Sequence, residues 1–179
     1  MNDLMNDIEI NNVDYKYKIV HINNLPNFLA MYKLINSFEL IIKEHKSDYT
    51  IQKLIEDSKK IKKDTKMFIL LKNNLVIHVE RFVYAQNSKS MYLDFIHTHS
   101  DYRKKGIGNA CLFYLLKRTQ NYFKVYELKV RKDNISAINL YIKNNFKIIS
   151  TIIQKSNNEN IEVLIMKLVI KNNKFNKNK

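Results

Sequence analysis

Tyr92-Leu93-Asp94-Phe95-Ile96-His97-Thr98-His99-Ser100-Asp101-Tyr102-Arg103-Lys104-Lys105-Gly106-Ile107-Gly108-Asn109 runs from a strand pattern, through a basic turn, into the start of a helix. Tyr92–Thr98 alternates as a strand does. Gly106–Gln120 reads as a helix, with Ile107, Cys111, Leu112, Leu115 and Leu116 on its apolar stripe. A turn placed this way points several backbone N–H groups into one concavity at a helix N-terminus, where the dipole is also positive. A side chain at the glycine positions would keep a phosphate from approaching that backbone. The chain has two glycines in all, Gly106 and Gly108, and both fall here. Arg103, Lys104 and Lys105 add cationic groups suited to a pyrophosphate. No Lys-Ser/Thr pair follows the second glycine, which argues against a P-loop nucleotidase, and no third glycine completes a dinucleotide-binding spacing.

Downstream, Val125–Arg131 reads as a strand, Asn134–Lys143 as a short helix, and Lys147–Gln154 with Ile161–Ile170 as a closing hairpin. Upstream, Leu75–Ala85 and Lys66–Leu71 are strands joined at Lys72-Asn73-Asn74, where asparagine tolerates the left-handed conformation of a tight turn. Tyr49–Lys60 is a helix with Ile51, Leu54, Ile55 and Ser58 on one side. Residues 25–43 form a longer helix, capped by Asn24, with Phe28, Met31, Tyr32, Ile35, Phe38 and Ile42 at helical spacing. Val13–Ile22 is a first strand with Tyr15, Tyr17 and Ile19 on one face. This order predicts an α/β or α+β layout around a mixed sheet. Residues 1–170 form a single domain with no internal repeat or dividing linker, and 171–179 a disordered basic Asn/Lys tail.

Composition narrows the function classes. The 179-residue chain is 45% hydrophobic, enough for one core. The single cysteine, Cys111, rules out an intramolecular disulfide and a multi-cysteine metal site. No apolar run reaches the length of about 18 residues that a membrane span needs. The N-terminus through Asp14 is polar and acidic, unlike a secretory signal, so the cytosol, or else the nucleus, is the expected compartment. A net charge of +14 could serve a polyanionic partner, but the lysines are spread along the chain, arginines are few and no nucleic-acid motif accompanies them. Direct nucleic-acid binding is therefore not expected. Asparagine and lysine fill loop positions where other chains use glycine, a bias that fits an AT-rich coding sequence. His97 and His99 lack Asp, Glu or Cys ligands in register, and no metal is predicted.

Arg103-Lys104-Lys105-Gly106-Ile107-Gly108 resembles the Arg/Gln-x-x-Gly-x-Gly/Ala signature with which GNAT acetyltransferases cradle the coenzyme A pyrophosphate. Leu128-Lys129-Val130-Arg131-Lys132-Asp133-Asn134-Ile135-Ser136-Ala137-Ile138-Asn139-Leu140-Tyr141-Ile142-Lys143-Asn144-Asn145-Phe146 resembles that superfamily's second motif. Asn145 replaces the usual glycine, as a left-handed helix cap allows, and Ser100 stands where the family commonly has proline. The likeness covers roughly residues 75–150 and implies a mostly antiparallel central sheet flanked by helices.

The resemblance also implies roles. The backbone of Ile96 and Thr98 would pair with the pantetheine arm of acetyl-CoA as with an added strand. Arg103 and the amides of Lys104, Lys105, Gly106, Ile107 and Gly108, with Asn109 opening the helix, would hold the pyrophosphate. Asn134 would contact the pantetheine or fix the splay of the central strands. Tyr141 would place its hydroxyl near the sulfur as general acid. Tyr92 and Asp94, on one face of their strand, stand where several family members carry a base or relay, with Glu80 a third candidate.

Among the family's branches, the second motif most resembles catalytic subunits of protein N-terminal acetyltransferases. Lys129, where that branch often has histidine, and Lys155-Ser156, where it has paired tyrosines, are departures. A small-molecule amine acetyltransferase resembling glucosamine-phosphate N-acetyltransferases, and a non-catalytic acetyl-CoA-binding subunit or sensor, remain open on the sequence. An auxiliary subunit or a homodimer is compatible with each.

Overall fold

A computed structural model describes residues 6–45, 50–60, 64–156 and 159–171. Tyr49 of the expected second helix and residues 172–179 of the expected tail lie outside the described residues. Eight strands form one sheet: β1 (Asn6–Ile10), β2 (Val13–His21), β3 (Asp64–Lys72), β4 (Leu75–Tyr84), β5 (Ser90–Thr98), β6 (Val125–Arg131), β7 (Lys147–Ser156) and β8 (Glu159–Val169). Their order across the sheet is β1-β2-β3-β4-β5-β6-β8-β7. The β5–β6 pair is parallel and every other pair antiparallel. The helices are α1 (Leu25–Met31), α2 (Ile35–His45), α3 (Ile51–Lys60), α4 (Ile107–Thr119) and α5 (Ile135–Lys143).

Asparagine supplies most of the left-handed backbone. Asn11, Asn12, Asn73, Asn74, Asn87 and Asn145 all have positive φ, beside Lys33 and Lys104 as the other non-glycine cases. Asn11-Asn12 and Asn73-Asn74 are the two-residue loops of the β1–β2 and β3–β4 hairpins, where positive φ at both central residues matches the strand twist.

The helix expected over 25–43 is instead two helices. Lys33 turns left-handed (φ 55°), Leu34 N–H donates to Leu29 O at 2.7 Å, and Lys33 N–H donates to Ala30 O at 3.1 Å. This is a Schellman stop built without glycine. A non-glycine residue in that conformation costs about 1–2 kcal/mol. Full burial of a leucine such as Leu34 contributes about 1.5–3 kcal/mol, which outweighs it. Met31 and Ile35, read as part of the buried stripe, are exposed. Strand β1 was not expected from the sequence, which through Asp14 is polar and acidic; it adds an edge to β2.

The sheet separates two cores. Phe38, Ile41, Ile42, Leu54, Val79 and Phe95 belong to the cluster under α1, α2 and α3. Leu93, Cys111, Leu112, Leu115, Tyr126, Leu128 and Tyr141 belong to the cluster under α4 and α5. Leu93 and Phe95, two positions apart, lie in opposite clusters. The cause is a bulge: Arg81 pairs with Phe95 and Phe82 with Leu93, so Asp94 is the extra residue and the strand's faces exchange beyond it.

Candidate active site

The parallel pair β5–β6 is registered over four positions, Ser90↔Val125 to Leu93↔Leu128. Beyond Leu93 the strand continues to Thr98 paired with β4 alone. His99 N–H donates to Ile77 O on the β4 side at 2.9 Å. Backbone groups alternate along a strand, so those of Ile96 and Thr98 face the opposite, open edge. An extended chain with amides of its own can add there as a strand would. On their side-chain side, Ile96 packs against the α4 core, while Thr98 Oγ1 lies under the first turn of α4.

That edge leads into the glycine turn. Lys104 (φ 59°) and Gly106 (φ 78°, the N-cap of α4) are both left-handed, and Ala110 N–H is the one that reaches back to Gly106 O at 3.0 Å. The amides of Ile107, Gly108 and Asn109 precede the first intrahelical bond and point outward from the helix N-terminus. A Cβ on Gly106 would come within 3.2 Å of Asn11 Nδ2, whose amide also donates to Lys105 O at 2.9 Å. The tip of the unexpected β1–β2 hairpin thus braces the turn. A Cβ on Gly108 would meet Thr98 Oγ1 at 3.5 Å and Leu140 Cδ2 at 3.8 Å, which leaves no room for larger groups beneath it.

Arg103, half exposed beside the turn, makes contacts within the protein as well. Its Nε donates to Thr98 O at 2.9 Å and its Nη2 to Glu44 Oε2 at 3.1 Å. Glu44, from α2, also accepts from Ser100 N–H and Ser100 Oγ, each at 2.9 Å. Burial alone would raise the Glu44 carboxyl, but the donors on Ser100 and His97 outweigh it and hold it below its ordinary value. His97 Nε2 stands 3.2 Å from Glu44 Oε2 and 3.0 Å from Arg103 Nη2, and burial foremost lowers its basicity. Arg103 and Glu44 therefore clasp the end of β5, and the Thr98 carbonyl is already engaged. The amides of the first turn of α4 remain at the helix N-terminus, and Lys105 Nζ lies 5.3 Å from the centre of the Tyr102 ring.

The second motif closes the other side. Asn134 caps α5, its side-chain oxygen accepting from Ala137 N–H at 3.1 Å. At the far end Asn145 (φ 66°) completes a Schellman stop: Phe146 N–H reaches Tyr141 O at 3.0 Å and Asn145 N–H reaches Ile142 O at 2.9 Å. Asparagine fills the cap position expected for it. Asn144 Nδ2 donates to Asn109 Oδ1 at 3.0 Å, tying α5 to the first turn of α4. Tyr141 is buried with its ring against Phe146, 5.8 Å between centroids. Burial, then the nearby Glu80 and Tyr92, push its hydroxyl well above the ordinary tyrosine value, so it is held protonated.

On the opposite face, Arg81 grips Asp94 in a bidentate pair, both bonds 2.8 Å, and reaches Ser58 Oγ of α3 at 3.1 Å. Burial raises the Asp94 carboxyl and Arg81 pulls it the other way. Tyr92, beside them, is pushed up to about 12 by burial and then by Asp94 and Glu127. It is a hydroxyl, not a phenolate, at neutral pH. Glu80 lies on the α4 side, wholly buried, hydrogen-bonded to His78 at 3.0 Å. Arg81, Glu44 and His78 were not singled out by sequence reasoning; each acts through a partner 13 to 56 positions away. Among the described residues no group of three or more His, Cys, Asp or Glu could hold a metal ion, and no helix is long and apolar enough to cross a membrane.

The open backbone edge of β5 runs into a turn at the N-terminus of α4, and together they form a candidate groove for an extended, anionic coenzyme. The family model described as "Acetyltransferase (GNAT) family" matches residues 28–146, and the chain belongs to that family of acetyl-CoA-dependent acetyltransferases. No curated protein matches the sequence significantly. Solved structures share the fold. An N-acetyltransferase from Staphylococcus aureus Mu50 superposes with TM-score 0.66 at 15% identity, covering 89% of this chain and 100% of its own. The ribosomal-protein-S18-alanine N-acetyltransferase of Escherichia coli gives 0.66 at 18% identity, covering 92% and 99%. A GNAT family acetyltransferase from Elizabethkingia anophelis with acetyl-CoA bound gives 0.53 at 14% identity, covering 66% and 83%.

Proposed function

We propose that the acetyl group goes to the free α-amino group of a protein or peptide. The observation that carries this is the weak provision for removing a proton. Tyr92 is held as a hydroxyl at about 12, and Asp94 is committed to Arg81. An α-amine, with a pKa of about 7.7–8.0, is roughly a third neutral at pH 7.5, whereas a lysine amine near 10.4 is neutral in only about one molecule in 800. The difference is about 3–4 kcal/mol of deprotonation that an α-amine does not require of the site. The likeness of the second motif to N-terminal acetyltransferases, and the neighbouring ribosomal-protein-alanine N-acetyltransferase, support the same reading.

Acetyl-CoA supplies the thioester. Ile96 and the Thr98 N–H align its arm, and the amides from Lys104 to Gly108, with Asn109 at the helix start, hold the pyrophosphate. Tyr92 hydrogen-bonds the incoming amine, whose lost proton leaves through water. The amine nitrogen forms the new bond to the acetyl carbon, the carbon–sulfur bond breaks, and the sulfur ends protonated. Tyr141 donates its hydroxyl hydrogen bond to the departing sulfur.

Peptides with free small N-terminal residues are expected to be acetylated, and the same peptides blocked at the N-terminus but carrying lysine are not. Faster turnover of lysine side chains, polyamines or glucosamine 6-phosphate would overturn the assignment. Saturation with acetyl-CoA at 100 times its Kd is expected to add about 2.7 kcal/mol of stability, read as a raised melting temperature. An unmoved melting curve removes the cofactor groove. Gly108→Val, at a position with ordinary helical backbone, is expected to weaken acetyl-CoA about ten- to hundredfold, the effect of losing a hydrogen bond to a charged group. Calorimetry on the folded variant checks it, and unchanged affinity would put the pyrophosphate elsewhere.

A further inference from the structure

Under the first turn of α4 lies a line of three polar side chains to which the reaction as described gives no part. Thr98 Oγ1 is 2.7 Å from His78 Nδ1, and His78 Nε2 is 3.0 Å from Glu80 Oε1. His78 and Glu80 are wholly buried, and Thr98 half-buried at the groove. Gly108 sits over the line, since a Cβ there would lie 3.5 Å from Thr98 Oγ1 and 4.0 Å from His78 Cε1. Among the described residues His78 is the one hydrogen-bond partner of the Glu80 side chain, whose Oε2 has none. Two ionisable side chains at inward sheet positions are costly to bury where valine would serve packing alone.

The two contacts form one chain whose donors are set by the His78 tautomer. With the proton on Nε2, His78 donates to Glu80 Oε1 and leaves Nδ1 to accept the single Thr98 hydroxyl proton, so that the Thr98 oxygen keeps only lone pairs for a further partner.

We propose that His78 and Glu80 are positioning residues that fix the Thr98 hydroxyl as a hydrogen-bond acceptor, so that the groove beside it takes an amide N–H of the pantetheine arm and disfavours a phosphate. Lone pairs facing a phosphate oxygen repel it, while the amides of the adjacent turn attract it. Together they set the cofactor's register along β5, which in turn places the thioester at the gap near Tyr141. The inference rests on acetyl-CoA lying in this groove.

The first measurement needs no ligand: 15N spectra of the histidine-labelled wild-type protein should show His78 protonated at Nε2 and bare at Nδ1. A ring protonated at Nδ1, alone or with Nε2, overturns the proposal. In the second, Glu80→Met removes the acceptor. A buried N–H without a partner is disfavoured, so the ring shifts its proton to Nδ1, donates to Thr98 and turns the hydroxyl proton outward. Acetyl-CoA Kd should rise about three- to tenfold, as for one hydrogen bond, and Thr98→Val should do the same alone. In the Thr98→Val background, Glu80→Met should then add nothing. Equal losses in both backgrounds, or no loss, would make Glu80 a packing residue. Should Glu80→Met not fold, the ring spectra and Thr98→Val decide. A wild-type chain that fails to bind acetyl-CoA sinks the groove assignment and this proposal together, whereas normal wild-type binding with unaffected variants sinks this proposal alone.

Discussion

Tyr141→Phe is expected to lower kcat by about 100- to 1,000-fold, the usual worth of one donor aimed at charge developing in the transition state, with little change in acetyl-CoA affinity or stability. The ring contact with Phe146 and the burial of Tyr141 survive the substitution. What disappears is a hydroxyl that burial and the neighbouring Glu80 keep protonated well past neutrality. A thiol has a reference pKa of about 8.5, so complete transfer from such a hydroxyl to the thiolate is uphill. In the role we propose, the hydroxyl instead stabilises charge as it develops on sulfur, an interaction absent from the ground state and therefore visible in kcat rather than KM. Steady-state rates on the best acceptor amine check this. A variant within about threefold of wild type, well below that range, would make Tyr141 a core residue with no part in the chemical step.

Asp94→Ala is expected to destabilise the fold by about 3–5 kcal/mol, because it leaves the nearly buried Arg81 guanidinium without its bidentate partner. Replacing both, as Arg81→Met with Asp94→Leu, should recover most of that loss, since no uncompensated charge remains. Denaturant titration of the single and double variants reads both. The pair also holds the bulge that moves Leu93 and Phe95 to opposite cores, and through Ser58 it ties that bulge to α3. If Asp94 served only as a base, Asp94→Ala would fold with wild-type stability and lose turnover alone. Equal stability would therefore overturn the assignment of Asp94 to the Arg81 pair.

The readable parts of this site were those written in local sequence. Both glycines mark the turn and the helix start, and Asn145 marks the α5 stop, because each answers to its own backbone conformation. The break at Lys33 escaped notice since the apolar spacing continues through it and Leu34, not glycine, secures the stop. Strand β1 escaped because its residues gain a partner only from β2. Side-chain commitments were harder still. Arg103 reaches Glu44, 59 positions away, and Asp94 pairs with Arg81, contacts that local spacing does not encode. Periodicity encodes which face a residue takes, not which distant group it finds there.

The sheet's connectivity bears on the order in which the protein assembles. Four of the seven strand pairings, β1–β2, β3–β4, β4–β5 and β7–β8, close across a turn or short loop. The other three cross helices or another strand, and β5–β6 brings Ser90 to Val125, 35 positions on, for a ladder of only four pairs. Closing a loop of that length for so little local reward ranks this parallel seam among the late events of folding. The open edge of β5 acquires its second wall only when that seam forms. A chain with its hairpins made but β6 undocked has no complete groove, so acetyl-CoA cannot template the early stages. It acts on the finished end of the pathway, slowing the unzipping of β6 from β5 and so lengthening the native lifetime more than it speeds folding.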